Sequence, residues 1–134
     1  MSRLFAAGSA AFVAFAGVIG CTGARPDPGH ETYQHYCVGC HGRSGAGDGP
    51  AAQGLPVKPA DLTILREMNG GIFPAEHVMA TVHGYPGKHD FAAMPEFGPL
   101  LNGPKQIWVA PGGEEIMTPV ALVELAAYVE TLQR

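Results

Sequence analysis

Cysteine and tryptophan are scarce in this sequence, and positive charge is in deficit. The 134 residues include three cysteines and one tryptophan, and 8 Lys plus Arg face 12 Asp plus Glu, which leaves a net charge of −4. The deficit of basic residues argues against nucleic acid as a partner, because a nucleic-acid-binding chain is expected to carry a basic patch. An acidic chain remains suited to a basic partner that is steered by charge. The length suits one domain.

Long apolar runs are also missing. The longest one, Leu4–Ile19, covers 16 residues, and Arg3 is the only charge before Arg25. A comfortable membrane-spanning helix needs about 20 apolar residues. A charged start, a short apolar core and small residues before a cut are typical of a secretory signal. We therefore predict a signal peptide over residues 1–20.

The end of that run carries one of the three cysteines. Val18-Ile19-Gly20-Cys21 resembles the lipobox of bacterial lipoproteins, which implies cleavage before Cys21 and lipid attachment to it. An ordinary cleaved signal and an uncleaved anchor are the alternatives. Removal of residues 1–20 also removes Arg3 and leaves 114 residues with a net charge of −5. Residues 21–28 then form a short polar tether to the membrane, since acyl chains give stable anchoring.

Apolar periodicity and turn residues predict a mainly helical domain over residues 29–134. No internal repeat is present. We predict that Thr118 caps the last helix and that Pro119 takes its first position. The predicted elements are a helix over Gly29–His41, a loop over 42–59, short helices over Asp61–Met68 and Pro74–His83, a loop over 85–106, a hairpin of Gln106–Val109 with Glu115–Met117, and a last helix with an apolar stripe of Leu122, Leu125, Ala126, Val129 and Leu132.

The other two cysteines belong to the strongest motif in the chain, Cys37-Val38-Gly39-Cys40-His41. C-x-x-C-H is the pattern of c-type haem attachment. Two thiols three residues apart at one helix end reach the two vinyl groups of one porphyrin, and the next residue supplies the proximal imidazole. With Cys21 assigned to lipid, no thiol is left over.

A redox dithiol and half of a zinc site are the alternatives to haem. A dithiol enzyme would normally place its cysteines in a βαβ context, which is not predicted here. A structural zinc site needs four ligands. The sequence has no second cysteine pair, and His77, His83 and His89 follow one another at intervals of six residues, which does not fit the usual zinc spacing.

The residues around the motif make the chain similar to the class I cytochromes c. Gly29 lies eight residues before Cys37 and Tyr33 four before it, and Leu125 and Tyr128 lie on the predicted last helix. In that family such residues allow the first and last helices to cross closely. The resemblance implies an all-α class I cytochrome c fold, with four or five short helices around one covalently bound haem c. The predicted β-hairpin before the C-terminal helix is an insertion into that pattern.

The resemblance also implies a support for the proximal ligand. Pro50 follows Gly49 and lies nine residues after His41. A Gly-Pro there resembles the family element whose proline carbonyl accepts a hydrogen bond from the proximal histidine Nδ1, which fixes the ring. Pro56 and Pro59 are weaker candidates for the same role.

Met94-Pro95-Glu96-Phe97-Gly98 resembles the family's methionine loop and implies Met94 as the distal iron ligand, 53 residues after His41. A bis-histidine haem through His83 or His89 is the alternative. Met68 and Met79 are predicted to pack, and His30, His35 and His77 are predicted to lie at the surface. Trp108 is predicted to pack the hairpin onto the haem edge, and docking of a partner is the alternative. The expected haem-pocket wall comprises Ile64, Leu65, Phe73, Val78, Val82, Phe91 and Phe97.

These features predict an electron carrier and not an enzyme. The expected partners are redox proteins, such as a membrane oxidase, a reductase or a periplasmic dehydrogenase. The expected location is the bacterial cell envelope, with the domain lipid-anchored and facing the periplasm. A ligand-binding haem protein, such as a gas sensor or a peroxidase-like enzyme, would need an open sixth position and is the alternative. A fixed subunit of a larger redox complex overlaps with the carrier.

Overall fold

The computed structural model describes residues 27–84 and 94–134. In these ranges the chain forms six short α-helices and one two-stranded antiparallel sheet, which confirms a mainly helical fold with a small hairpin. Short 3-10 turns cover Pro50–Gly54 and Leu62–Ile64. The elements are α1 (Pro28–Tyr36), α2 (Val38–His41), α3 (Leu65–Met68), α4 (Ala75–His83), α5 (Gly98–Leu101), β1 (Lys105–Val109), β2 (Glu115–Pro119) and α6 (Val120–Thr131).

The first predicted helix is present but bent. Asp27 caps α1, since its carboxylate accepts hydrogen bonds from the backbone N–H groups of Gly29 and His30 at 3.0 and 3.3 Å. The helix ends at Tyr36, and Cys37, with φ at −111°, separates it from α2. The single helix expected over Gly29–His41 is therefore two helices that meet at the first haem-motif cysteine.

Helices α1 and α6 cross closely at Gly29. A Cβ atom on Gly29 would lie 2.1 Å from the backbone oxygen of Glu124, so only glycine fits this crossing. Tyr33, one turn along, has no solvent exposure, and its hydroxyl donates to the Gly42 carbonyl at 2.7 Å. The Tyr33 and Tyr128 rings lie 5.2 Å apart. The predicted close crossing of the first and last helices is confirmed.

The core lies between α1, α4 and α6. Leu122, Leu125, Ala126 and Val129 recur every three or four residues and form the buried stripe of α6, and Leu132 packs partly buried beside them. The remaining buried members of the core are Tyr33, Cys37, Phe73, Val78, Met79, Val82 and Leu101. Met79 packs as predicted, but the predicted packing of Met68 is wrong, because its side chain is 75% exposed.

The hairpin has the predicted position and slightly longer strands. Ile107 pairs with Met117, and Trp108 pairs with Ile116. Trp108 packs against the core, but it lines a cavity that none of the motif residues lines, so its packing onto the haem edge stays a prediction. Ile107, Val109 and Met117 are 59%, 58% and 60% exposed. Exposed and partly buried side chains thus alternate along β1 from Ile107 to Val109, as the pleat of a strand requires.

Several predicted boundaries are wrong. Thr118 does not cap α6: it is a buried residue of β2 whose hydroxyl donates to the Ile116 carbonyl at 3.1 Å. Pro119 precedes α6, which begins at Val120, and Pro74 likewise precedes α4. Helix α5 lies inside the predicted loop 85–106, because a Gly-Pro pair opens one turn of helix there.

The predicted domain boundaries stay predictions. The signal segment (residues 1–20), Cys21 and most of the tether lie outside the described residues, as do His89 and Phe91. Among the helices of the two described ranges, none is long and apolar enough to cross a membrane.

Candidate functional site

The motif cysteines lie at the two ends of one helical turn. Cys37 is buried and Cys40 is partly exposed, and both are free thiols. Burial, with a smaller contribution from Cys40, raises the pKa of the Cys37 thiol to about 11. The spacing of three residues places both side chains on the same side of the helix. Both cysteines line one cavity.

His41 follows directly and is also buried, with 8% of its surface exposed. Its Nδ1 lies 3.0 Å from the carbonyl oxygen of Ala60, so Nδ1 carries the proton and Nε2 keeps its lone pair. Burial lowers the pKa of His41, and the hydrogen bond to Ala60 opposes this effect. A neutral, oriented imidazole is the form that ligates a metal.

The support for His41 is therefore the Ala60 carbonyl and not that of Pro50, which corrects the prediction. Pro50 opens the 3-10 turn that follows the motif. The preceding residue, Gly49, donates its N–H to the Cys40 carbonyl at 3.0 Å, and a Cβ there would lie 2.4 Å from the Gly39 oxygen. Gly49 thus holds the turn against the backbone of the motif.

Backbone hydrogen bonds bring Ala60 to the histidine. Gly47 donates to the His41 carbonyl at 2.9 Å, and Leu62 donates to the Gly45 carbonyl at 2.7 Å. A Cβ on Gly47, where φ is +74°, would meet the Pro59 oxygen at 2.4 Å. These contacts hold the backbone at Gly45 and Gly47 against residues 59–62, beside the imidazole of His41.

Two adjoining cavities, of about 240 and 160 Å³, open beside the motif. Both are lined by Cys37, His41, Ala60, Thr81 and Met94. The larger is also lined by Tyr36, Cys40, Leu55, Val57, Lys58, Pro59, Pro95 and Phe97, and the smaller by Tyr33, Leu62, Leu65, His77, Val78, Val82, Leu125 and Val129. We refer to the two together as the motif cleft.

Met94 and His41 line the same cleft, as the methionine-loop pattern implies. Met94 is partly buried against the core. The backbone just after it is fixed, because Phe97 donates its N–H to the Val82 carbonyl at 2.9 Å. Ligation of iron by Met94 stays a prediction.

The expected pocket wall is confirmed in part. Leu65, Val78, Val82 and Phe97 line the cleft, whereas Ile64 and Phe73 do not, and Phe73 packs in the core instead. Sequence reasoning missed the lining residues Tyr33, Tyr36, Leu55, Val57, Lys58, Ala60, Leu62 and Thr81. Pro59, a weaker candidate for the support of His41, lines the larger cavity. Tyr33 and Tyr36 could have been found, since they share the helical face of Cys37 and Cys40.

Of the other histidines that the structure describes, three lie apart from the motif and one lines the cleft. His83 lines a separate cavity of about 180 Å³ with Trp108, between α4, α6 and the hairpin. His30 and His35 are exposed and contact the rings of Tyr128 and Tyr36. His77 is exposed on α4 but also lines the motif cleft.

The donor set of the cleft fits haem c. Two thiols, one oriented imidazole nitrogen and one thioether face a largely apolar space, which is the set that c-type attachment and His/Met ligation require. Within residues 27–84 and 94–134, no three His, Cys, Asp or Glu side chains gather as a site for a bare metal ion.

Comparison with known proteins gives one match. Residues 24–110 match the family described as cytochrome C oxidase, cbb3-type, subunit III. No curated protein and no solved structure matches the chain. The match covers more than half of the 134 residues and contains the cysteine motif, His41 and Met94. The chain therefore belongs to this family of c-type cytochrome domains, whose members carry covalently bound haem and take part in electron transfer.

Proposed function

We propose that this chain carries a single haem c, held by Cys37 and Cys40 and ligated by His41 and Met94, and that it passes single electrons between redox proteins at the cell envelope. The observation that carries the proposal is the motif cleft. It combines the two motif thiols, a buried histidine oriented by Ala60, and Met94 in one apolar space.

Each residue of the cleft has a defined task in that function. Cys37 and Cys40 fix the cofactor covalently, so it is not lost between partners. The Ala60 carbonyl holds the His41 ring and raises its basicity. Met94 supplies a soft thioether, which raises the reduction potential. Haem c, when bound, supplies an iron that accepts and returns one electron.

The lining of the cleft keeps competing chemistry out. Apart from Lys58 and the motif itself, the side chains around the larger cavity carry no ionisable group other than the Tyr36 hydroxyl. An apolar wall favours the less charged ferrous form and excludes water. In the described ranges no carboxylate lines the cleft, and its one histidine besides His41 is His77, which lines the smaller cavity from the exposed side of α4.

The partners are redox proteins. The family match supports a role beside a membrane complex, as a mobile carrier or as a subunit. A membrane oxidase, a reductase or a periplasmic dehydrogenase would each suit a lipid-anchored domain, and the acidic charge of the chain favours a basic docking face.

The function is tested on the holoprotein by a spectroelectrochemical titration in the presence and absence of CO. We expect a reversible one-electron transition and a ferrous spectrum that CO leaves unchanged, because both axial positions are filled. Rapid CO binding by the ferrous protein would instead indicate an open sixth position and a ligand-binding or peroxidase-like haem protein.

The anchor is tested separately. We infer that Cys21 is acylated and that residues 21–28 tether the domain to the membrane, on the strength of the lipobox pattern alone. Cys21→Ser is expected to move the haem-containing protein from the membrane to the soluble periplasmic fraction. Membrane retention of that variant would contradict lipidation and favour an uncleaved helix.

A further inference from the structure

Lys58 is the only charged side chain that lines the larger cavity of the motif cleft among the residues that the structure describes. It follows Val57 and precedes Pro59 and Ala60, the stretch whose carbonyl orients His41. A lysine stem can lie along apolar lining while its ammonium stays in water at the edge. Lys58 is exposed, which agrees with this placement.

The ammonium of Lys58 makes none of the ion pairs present in the described residues. These pairs are Arg66–Glu130 and Arg134–Asp61. Asp61, the nearest acidic residue in sequence, already accepts hydrogen bonds from the Thr63 N–H at 2.9 Å and the Thr63 hydroxyl at 2.6 Å. Lys58 acts on Asp61 only through its charge, and less than Thr63 or Arg134 does.

Haem c would bring two propionate groups into the cleft that Lys58 lines. A carboxylate at the edge of a low-dielectric cleft is stabilised by a nearby cation. We propose that Lys58 pairs with a haem propionate and thereby sets part of the reduction potential. The proposal rests on the haem-carrying function proposed above.

The charged and titratable groups around Lys58 are few. They are Tyr36, Cys37, Cys40 and His41 in the same cavity, Tyr33 and His77 in the adjoining cavity, and Asp61 beyond Ala60 on the same stretch. Thr81, from α4, offers only a hydroxyl, which already donates to the His77 carbonyl at 2.7 Å. Among the described residues that line the larger cavity, Lys58 is therefore the single cation that could pair with a propionate.

Substitution of Lys58 is expected to change both the potential and its pH dependence. In Lys58→Gln the loss of positive charge favours ferric iron, so the ferrous-to-ferric ratio at the wild-type midpoint falls on the order of threefold. The propionate also loses the cation that favours its ionised form. The fall of the potential with rising pH therefore moves to higher pH than in the wild type.

The test is a redox titration of the holoprotein from pH 5 to pH 9. Lys58→Arg keeps the charge and is expected to retain the wild-type profile. Lys105→Gln removes the same charge from the hairpin, away from the cleft, and serves as the matched control. Equal profiles for Lys58→Gln and Lys105→Gln would overturn the proposal.

Two further measurements distinguish direct pairing of Lys58 with a propionate from an effect through Asp61 and from a lack of attached haem. If Lys58 acted through Asp61, the Asp61→Asn variant would cancel the effect of Lys58→Gln; an undiminished effect supports direct pairing. The mass of the denatured chain shows whether haem is attached. A chain without haem would overturn the proposed function as well, whereas attached haem with an unresponsive potential would overturn only the role of Lys58.

Discussion

The hydrogen bond that orients His41 is accepted by the carbonyl of Ala60, 19 positions away. At the residue scale, this partner could not be predicted from the sequence. The cysteines and His41 could be predicted because they are adjacent in the chain. The acceptor at Ala60 could not, since it depends on how the loop returns through the hydrogen bonds of Gly47 and Leu62. In the Gly49-Pro50 pair it is Gly49 that contacts the motif, because it packs closely against the backbone of Gly39 and Cys40.

Gly49→Ala tests that packing. Its Cβ would lie 2.4 Å from the Gly39 oxygen, so the turn or the motif has to move, at a cost of about 1–3 kcal/mol in the free energy of unfolding. Gly39→Ala is the matched control, because nothing lies within 4 Å of a Cβ there. Denaturant unfolding of the two holoproteins measures the difference, and equal destabilisation would contradict the close approach at Gly49.

Asp61 gives a pH-dependent prediction. Hydrogen bonds from Thr63, first from the hydroxyl and then from the backbone, lower the pKa of Asp61, with Arg134 contributing less. Because the folded pKa lies below the unfolded value, the contribution to stability is present above the unfolded pKa and is lost as pH falls through the folded one. Asp61→Asn should lower the unfolding midpoint at pH 7 and have little effect at pH 2.

The control for this prediction is Glu114→Gln in the exposed hairpin turn. We expect this variant to leave the unfolding midpoint unchanged at both pH values. A midpoint difference between wild type and Asp61→Asn that does not shrink on acidification would show that the ionised carboxylate is not what stabilises the fold.

At the scale of elements, the helices with strong periodicity were predictable and their ends were not. The buried stripe of α6 follows from the spacing of its apolar residues. The N-cap of α1 at Asp27, the bend at Cys37 and the single turn of α5 depend on a few backbone angles, which apolar periodicity does not encode. Thr118 was predicted to cap α6 because it precedes a proline, but it is a residue of strand β2.

The α1–α6 crossing makes a second packing prediction. Gly29→Ala places a methyl group 2.1 Å from the Glu124 oxygen, which forces the helices apart and is expected to cost about 2 kcal/mol or more. Gly103→Ala, with nothing within 4 Å of its Cβ, is the control. Thermal unfolding of the holoproteins compares them, and a Gly29→Ala midpoint equal to that of Gly103→Ala would contradict the crossing.

At the scale of the whole molecule, the cleft and the core share a wall. Tyr33, Cys37, Val78, Val82, Leu125 and Val129 belong to the core and also line the motif cleft. The family match ends at residue 110, but α6, which follows it, covers α1 and completes that wall. A covalently attached cofactor in the cleft is therefore expected to stabilise the folded molecule, because its apolar surface is buried there and is exposed to water in the unfolded chain.

The Cys37→Ala/Cys40→Ala double variant tests this coupling. Without the two thiols, haem is expected to be absent from the cleft. Thermal unfolding should therefore become broader and begin at a lower temperature than in the holoprotein. Circular dichroism in the far and near ultraviolet follows the transition. An equally cooperative and equally stable variant would show that the core is independent of the cleft.

The central claim is that His41 and Met94 hold one iron from opposite sides of a covalently attached haem. The weak near-infrared charge-transfer band of methionine-ligated ferric haem tests it most directly. We expect the band in the wild type and in Met68→Ala, where the exposed Met68 is removed, and its loss in Met94→Ala with haem still attached. A band that persists unchanged in Met94→Ala would contradict the account.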